Sequence, residues 1–319
     1  MTIQKKIWQF VILGLVVTLL LSIYADFGRL ISAFRSFEWT LLPIVLALTL
    51  GNQLLRFVKW EFLLGEVDVD LPLSTSFLIF GSGLIMIMTP GKVGEVWKSW
   101  LIRDADGTPI STTIPVIATE RITDVLGVVL ISLLGVLAFD RSPALLFVLL
   151  VPMLAGILFL QYERGCLWLI DRCERLPVVG RKAESARDLY RNARELLRLR
   201  PLGVTTVLSV FSWGLECVGL WVVLRGFDAE VSVLVAAFVF AVASILGAVS
   251  LLPGGLGVTE GSMTGLLLFF GVERVSAASA TLVIRAATLW FVAILALVIY
   301  TVYRRRSTTI RGPGENTQP

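Results

Sequence analysis

A few charged residues stand inside otherwise apolar sequence, and their spacing narrows what they could do. Lys92, Glu95 and Lys98 follow Pro90-Gly91 at intervals of three, so they share one face wherever that stretch is helical. Glu120, Arg121 and Asp124 sit together further on, and Arg121 and Asp124 share a face at i,i+3. Gly91 and Gly94 let backbone approach a ligand closely and leave N–H groups open at a new helix start, an arrangement that favours an anion such as phosphate. Lys92, Lys98, Arg121 and Arg56 could supply the counter-charge, with Glu95 or Asp124 holding one of them in place. The plainer alternative is a set of interface residues that snorkel or form salt bridges, and it weighs most for Arg56, Lys59 and Lys98.

A second set lies in the C-terminal half. Glu260 follows the break Pro253-Gly254-Gly255-Leu256-Gly257, Arg285 lies near the start of a later apolar segment, and Glu216 lies deep in another. Gly255 and Gly257 belong to a run that cannot continue as one helix, because Pro removes a donor and Gly weakens helix formation. Ionisable groups in the bilayer cost roughly 2.5–3.5 kcal/mol each, so they persist when paired, hydrated or useful. Glu216 therefore needs a partner, and Arg285 is a candidate. Two readings stand here: a Glu–Arg pair locking two helices, or a half-site for a polar headgroup or a proton.

Much other chemistry is excluded. The sequence has no histidine, which removes the commonest metal ligand and general base. Cys166, Cys173 and Cys217 form no CxxC pair and are too few for a zinc site, so they are read as free thiols. No P-loop, GxSxG or HExxH pattern occurs, so no cofactor or metal is expected and an enzyme is not. The net charge of +4 is spread beside hydrophobic segments, not along one continuous basic face, so nucleic acid is not an expected partner.

The elements that must position these residues are membrane helices. The chain is 56% hydrophobic and 16% charged, against about 25% charged in soluble domains. Apolar segments run at about 7–25, 41–58, 111–139, 143–161, 202–224 and 276–303, with two Pro/Gly-broken stretches at 73–103 and 231–271. The first segment is longer than a signal-peptide core and lacks a small-x-small cleavage site, so it is expected to stay as a helix. Between Tyr162 and Pro201 there are ten Lys or Arg against six Asp or Glu, and Lys5, Lys6 and Arg304, Arg305, Arg306 mark the ends. Those three regions are expected to be cytoplasmic, which places both termini inside a cytoplasmic (inner) membrane. Six crossings then fit if each broken stretch returns to the side it entered. Two full crossings at a break would keep the same sides, but the halves are short, so re-entrant hairpins are preferred.

The predicted fold class is therefore all-α: a polytopic membrane protein of about six transmembrane helices and two re-entrant hairpins. One domain spans 1–310, with repeat A at about 41–139, repeat B at about 202–303 and a basic linker at 162–201. The two repeats enter the membrane in opposite directions, each with a broken helix and a following arginine, an inverted-repeat transporter plan. Residues 311–319 are expected to form a disordered tail. In the linker, Leu189, Ala193, Leu196 and Leu197 mark one face of a helix that either lies on the anionic leaflet or is a solvated connector.

Three motifs in this order carry a resemblance: Pro90-Gly91-Lys92-Val93-Gly94-Glu95, then Glu120-Arg121-Ile122-Thr123-Asp124, then Pro253 through Gly261 with Arg285. Over roughly residues 5–305 the chain resembles the lysylphosphatidylglycerol synthase transmembrane family, also described as flippase-like domain proteins. That resemblance implies lipid handling; in some members such a domain moves aminoacylated phosphatidylglycerol beside a soluble domain that makes it. No transferase domain follows the last helix here, so lipid synthesis is not expected. The leading expectation is a translocase for an anionic or phosphate-bearing lipid, a phospholipid or a polyprenyl-linked one. Lys92 and Arg121 would bind its headgroup, Glu95 and Asp124 would orient them, and Glu216, Glu260 and Arg285 would form the opposing half-site. The alternative is a non-catalytic accessory subunit for an envelope-biosynthesis transferase.

Overall fold

The computed structural model describes residues 3–24, 26–89, 94–138 and 183–310, together with 151, 154–159, 161–166 and 168. The segment expected at 143–161, Cys173, Lys92 with its neighbours Pro90, Gly91 and Val93, and the tail after residue 310 lie largely or wholly outside the described residues. Every described element is helical. α1 (Ile3–Tyr24) is followed by α2 (Phe27–Ser36), turned 96° from it. Asp26 caps α2 by accepting from the Gly28 N–H, so the connection expected at 26–40 is itself helical.

Two triplets follow. Repeat A comprises α3 (Leu42–Gly65), α4 (Leu73–Gly83) with a 3-10 turn at Leu84–Met88, α5 (Trp97–Asp106) and α6 (Ile110–Ala138). The linker helix α7 (Ala183–Leu196) leads to repeat B. That repeat has α8 (Leu199–Gly226), α9 (Val233–Val249), a tight turn at Pro253–Gly255, α10 (Val258–Phe269), and α11 (Arg274–Arg285) running through a π-helical turn (Ala286–Trp290) into α12 (Phe291–Ile310). By length and composition Trp39–Gly65, Leu199–Gly226 and Arg274–Arg306 can each cross a membrane. α6 has 29 residues, about 44 Å, enough to cross as well, but holds three charges. α4, α5 and α10, at 11, 10 and 12 residues, reach less than about 20 Å and cannot span a core of about 30 Å. α3 continues to Gly65, seven residues beyond the expected end, so Arg56 and Lys59 lie within the helix instead of at its mouth.

The two triplets share local geometry at the ends of their first helices. α3 ends in a turn with Asp68 at φ 55°, and α8 ends in a turn with Asp228, 160 residues later, at φ 54°. In the first, Val69 N–H donates to Leu64 O at 3.0 Å; in the second, Ala229 N–H donates to Leu224 O at 3.0 Å. α3 and α8 lie antiparallel, with Val45 beside Gly219, Asn52 bonded to Ser212 and Lys59 bonded to Ser209. The two halves therefore run in opposite directions, and Asn52 and Ser212, also 160 apart, mark their meeting point.

The last helix of each repeat packs on the other repeat. α6 lies along α9, where a Cβ added at Gly135 would sit 2.7 Å from Phe238 Cβ. α12 lies along α4, where a Cβ added at Gly81 would sit 2.7 Å from Ile299 Cδ1. The apolar cores follow this exchange. One core is repeat B with Val128, Val129 and Ile131 of α6; the other is repeat A with Val292 and Ala296 of α12. The turns at the two breaks meet, Ile87 packing with Leu256 and Leu289 around Phe10 of α1. In α7 the buried side chains are Tyr190 and Leu196, with Leu197 just beyond it, while Leu189 is exposed. The packed face is thus offset from the expected one, and α7 packs against α6.

Candidate functional site

Repeat A concentrates its charges in one buried knot. α6 contributes Glu120, Arg121 and Asp124, α3 contributes Arg56 and Lys59, the chain leading into α5 contributes Glu95, and α5 itself contributes Lys98. Glu120 is at the centre: it accepts from Arg56 Nη2 at 3.2 Å, from Lys98 Nζ at 2.8 Å and from Arg121 Nη2. Lys59 Nζ donates to Asp124 Oδ1 at 2.5 Å and to Ser209 Oγ of repeat B at 2.9 Å. Lys98 Nζ also lies 3.6 Å from Glu95 and 4.4 Å from the Trp60 ring centre. Arg121 Nη2 reaches Glu95 at 3.4 Å and Asp124 at 3.2 Å.

Four cations face three carboxylates, so this knot carries one excess positive charge among the described residues. Three of the cations are closed off, with side-chain exposures of 9% or less; Arg121 is 25% exposed. Pairing offsets the desolvation of these ions, and removal of one member would leave its partner charged and dry.

Repeat B places a simpler version of this arrangement opposite. Arg285 Nε donates to Glu260 Oε1 and its Nη2 to the Gly254 carbonyl, both at 2.6 Å. The other oxygen of Glu260 accepts from the Gly257 N–H at 2.6 Å, capping α10. Gly254, Gly255 and Gly257 hold φ of 61°, 65° and 87°, which side chains disfavour and which this turn needs. The π-helical turn begins directly after Arg285 and adds a residue to the ladder there, a distortion common at functional sites.

Glu95 and Glu260 follow the breaks, and each binds an arginine of the next long helix, Arg121 or Arg285. Glu216 stands 160 residues after Arg56, at the same point of the repeat but with opposite charge. Lys98, Glu120 and Asp124 are matched by Met263, Ile284 and Thr288. The charged knot is therefore particular to repeat A.

Both halves open on one cavity of about 290 Å³. Repeat A lines it with Gln53, Arg56, Glu95, Arg121 and Asp124, and repeat B with Trp213, Glu216, Gly254, Gly255, Thr259 and Arg285. A second, more apolar cavity of about 350 Å³ lies between α1, α2 and α11, and Glu260 and Arg285 border it. Arg285 thus adjoins both spaces.

Of the residues singled out from sequence, Glu95, Arg121, Asp124, Glu216, Gly255 and Arg285 line the first cavity; Glu260 holds Arg285, and Gly257 caps on Glu260. Arg285 takes Glu260 as partner, an assignment the sequence reading did not make. Gly94 differs from expectation: its N–H donates to Thr89 Oγ1 at 3.1 Å, so it is not open to an anion. Lys92 lies outside the described residues. Arg56, Lys59 and Lys98, for which the plainer expectation was interface residues that snorkel or form salt bridges, are buried and do form salt bridges, so they do not snorkel. Gln53 and Trp213 were missed; a signal existed in Gly51-Asn52-Gln53, two adjacent amides inside an apolar helix. Glu120 was noticed, but the i,i+3 rule drew attention to its neighbours.

The family described as the lysylphosphatidylglycerol synthase TM region matches residues 11–296. The chain belongs to that family. Its similar proteins include a UPF0104 membrane protein of Methanothermobacter thermautotrophicus, 29% identical, with 94% of each chain covered. A UPF0104 membrane protein of Pyrococcus horikoshii is 23% identical over 91% of this chain and 95% of its own, and one of Methanocaldococcus jannaschii is 21% identical over 68% and 93%. The chain is thus an all-α, multi-pass membrane protein.

Proposed function

We propose that the protein moves an anionic or phosphate-bearing lipid, a phospholipid or a polyprenyl-linked lipid, between the leaflets of a cytoplasmic membrane without altering it chemically. The observation that carries this is the cavity shared by the two oppositely directed repeats, with an arginine from each at its wall. Arg121 is the headgroup ligand: it is the most exposed cation of its knot, and its charge is already oriented by Glu95, Glu120 and Asp124. The N–H groups Arg56 Nε, Arg121 Nε and Trp213 Nε1, all on residues lining this cavity, have no hydrogen-bond partner among the described residues. Such donors in a dry site favour a group with several acceptor oxygens.

In this mechanism a phosphate competes with the carboxylates for Arg121, and on the other side Arg285 exchanges Glu260 for the same group. The short broken helices supply the moving parts, since their tips meet at the cavity and the helix is interrupted at Thr89 and again at Pro253–Gly255. Both termini face the cytoplasm, with Arg304, Arg305 and Arg306 at the inner surface.

The test is reconstitution of the full chain in liposomes with a panel of labelled lipids: phosphatidylglycerol, its lysyl form and a polyprenyl phosphate. Selective movement of at least one, lost in Arg121→Ala, supports the proposal. No movement of any lipid by folded protein would overturn it.

A further inference from the structure

The cavity holds an acceptor whose direction is set by a chain of amides. Asn52 Nδ2 donates to the backbone carbonyl of Ser212 at 2.8 Å. A carbonyl can only accept, so Asn52 must turn its NH2 toward α8 and its Oδ1 back along α3. Gln53 Nε2 donates to that Oδ1 at 3.0 Å. Gln53 is thereby fixed as well, and its Oε1 is left without a hydrogen-bond partner among the described residues. The side chain lines the cavity and the residue is only 8% exposed, so water offers this oxygen little. Asn52 and Ser212 are the contact where the two repeats meet, which makes the relay part of the framework.

Two other lining oxygens without a hydrogen bond, Glu95 Oε2 and Asp124 Oδ2, lie 3.2–3.6 Å from cations of the knot, so Gln53 Oε1 is the uncompensated acceptor in a cavity that also holds the unpaired donors Arg56 Nε, Arg121 Nε and Trp213 Nε1. A bare phosphate or a phosphodiester can occupy the donors, but it leaves Gln53 Oε1 unmatched. We infer that Gln53 is a specificity-determining residue which selects headgroups carrying a hydrogen-bond donor, a hydroxyl or an ammonium, beside the phosphate. This rests on the reading of the cavity as a lipid headgroup site and narrows its substrate class. Sites built around a buried polar group discriminate strongly against analogues that lack its partner. Leaving one such acceptor unmatched lowers affinity by about tenfold or more.

The test is binding, read separately from transport. Short-chain lipids are titrated onto the purified full chain in detergent, and dissociation constants are taken from tryptophan fluorescence or thermal shift. Phosphatidylglycerol is compared with phosphatidylpropanol, which keeps the phosphodiester charge and three-carbon headgroup but lacks both hydroxyls. Phosphatidylethanolamine is compared with phosphatidylcholine, whose nitrogen cannot donate. The expected result is about tenfold tighter binding of the donor member in at least one pair, and which pair shows it identifies the hydroxyl or the ammonium. In Gln53→Leu that preference should fall to about twofold or less, while Arg121→Ala weakens every lipid that binds. Equal binding within both pairs to the wild type would overturn the inference, and this comparison needs no variant to fold. A preference that survives in folded Gln53→Leu would overturn it too. Lipids that move across liposomes but bind without preference would leave the transport reading standing and remove this one. Preferential binding without movement would do the reverse.

Discussion

Replacing Glu120 probes whether the charged knot of repeat A is held as a unit. The carboxylate is wholly buried and accepts from Arg56 at 3.2 Å, Lys98 at 2.8 Å and Arg121. In Glu120→Ile, four cations would face two carboxylates, and Lys98 would retain Glu95 at 3.6 Å and the ring of Trp60. Removing one partner of a buried pair costs about 3–5 kcal/mol, a fall in melting midpoint on the order of 10 °C for a chain of this size. Repeat B shows how equivalent positions pack without charge, because Met263 and Ile284 stand there, both fully buried. Combining Lys98→Met with Glu120→Ile restores the wild-type excess of one positive charge and copies that packing. The double variant should therefore regain much of the loss, with a coupling of about 1–3 kcal/mol. Thermal unfolding in detergent of the wild type, the two single variants and the double variant measures this. A double variant whose loss equals the sum of the two singles would refute the reasoning. So would a Glu120→Ile midpoint within about 2 °C of the wild type, a change worth less than 1 kcal/mol.

Two further outcomes follow from the repeat geometry. Gly135→Ala drives a Cβ against Phe238 Cβ, which cannot swing away, and should cost about 1–3 kcal/mol in thermal unfolding. Gly81→Ala meets the tip of Ile299, so its cost should shrink when combined with Ile299→Ala, whereas no such relief exists for Gly135→Ala. At the matched turns, Asp68→Gly and Asp228→Gly should be tolerated, while valine at either position should lower stability by about 1–2 kcal/mol because φ is positive. Different rankings at the two positions would contradict the equivalence of the turns.

The membrane character and the interruptions of the apolar helices were readable because they depend on composition and on Pro and Gly, which act locally. The charged pair Arg121–Asp124 was readable because helical spacing alone brings i and i+3 together. Arg56 and Lys59 were misplaced because apolar content falls after residue 58, which suggested a membrane boundary. α3 in fact runs on to Gly65, its charges satisfied by α6 and α8. Contacts between residues 61 to 160 positions apart carry no local signature. Gln53 escaped notice for a related reason: its orientation depends on Ser212, which joins it only in the folded chain. Gly94 was assigned an open N–H on general grounds, and a threonine five residues earlier takes it.

The exchange of last helices between the repeats has a consequence for how the molecule is made. The face of α4 at Gly81 is covered by Ile299, so that groove stays open until 218 more residues have been synthesised. At about 5–20 residues per second that interval is roughly 10–45 seconds. During it the first half, already inserted, presents a notch of small residues to lipid and to the insertion machinery. The last helix is then a closing bolt for the first half, and truncating the chain before residue 299 would leave the N-terminal half unfinished even though all of its own residues are present.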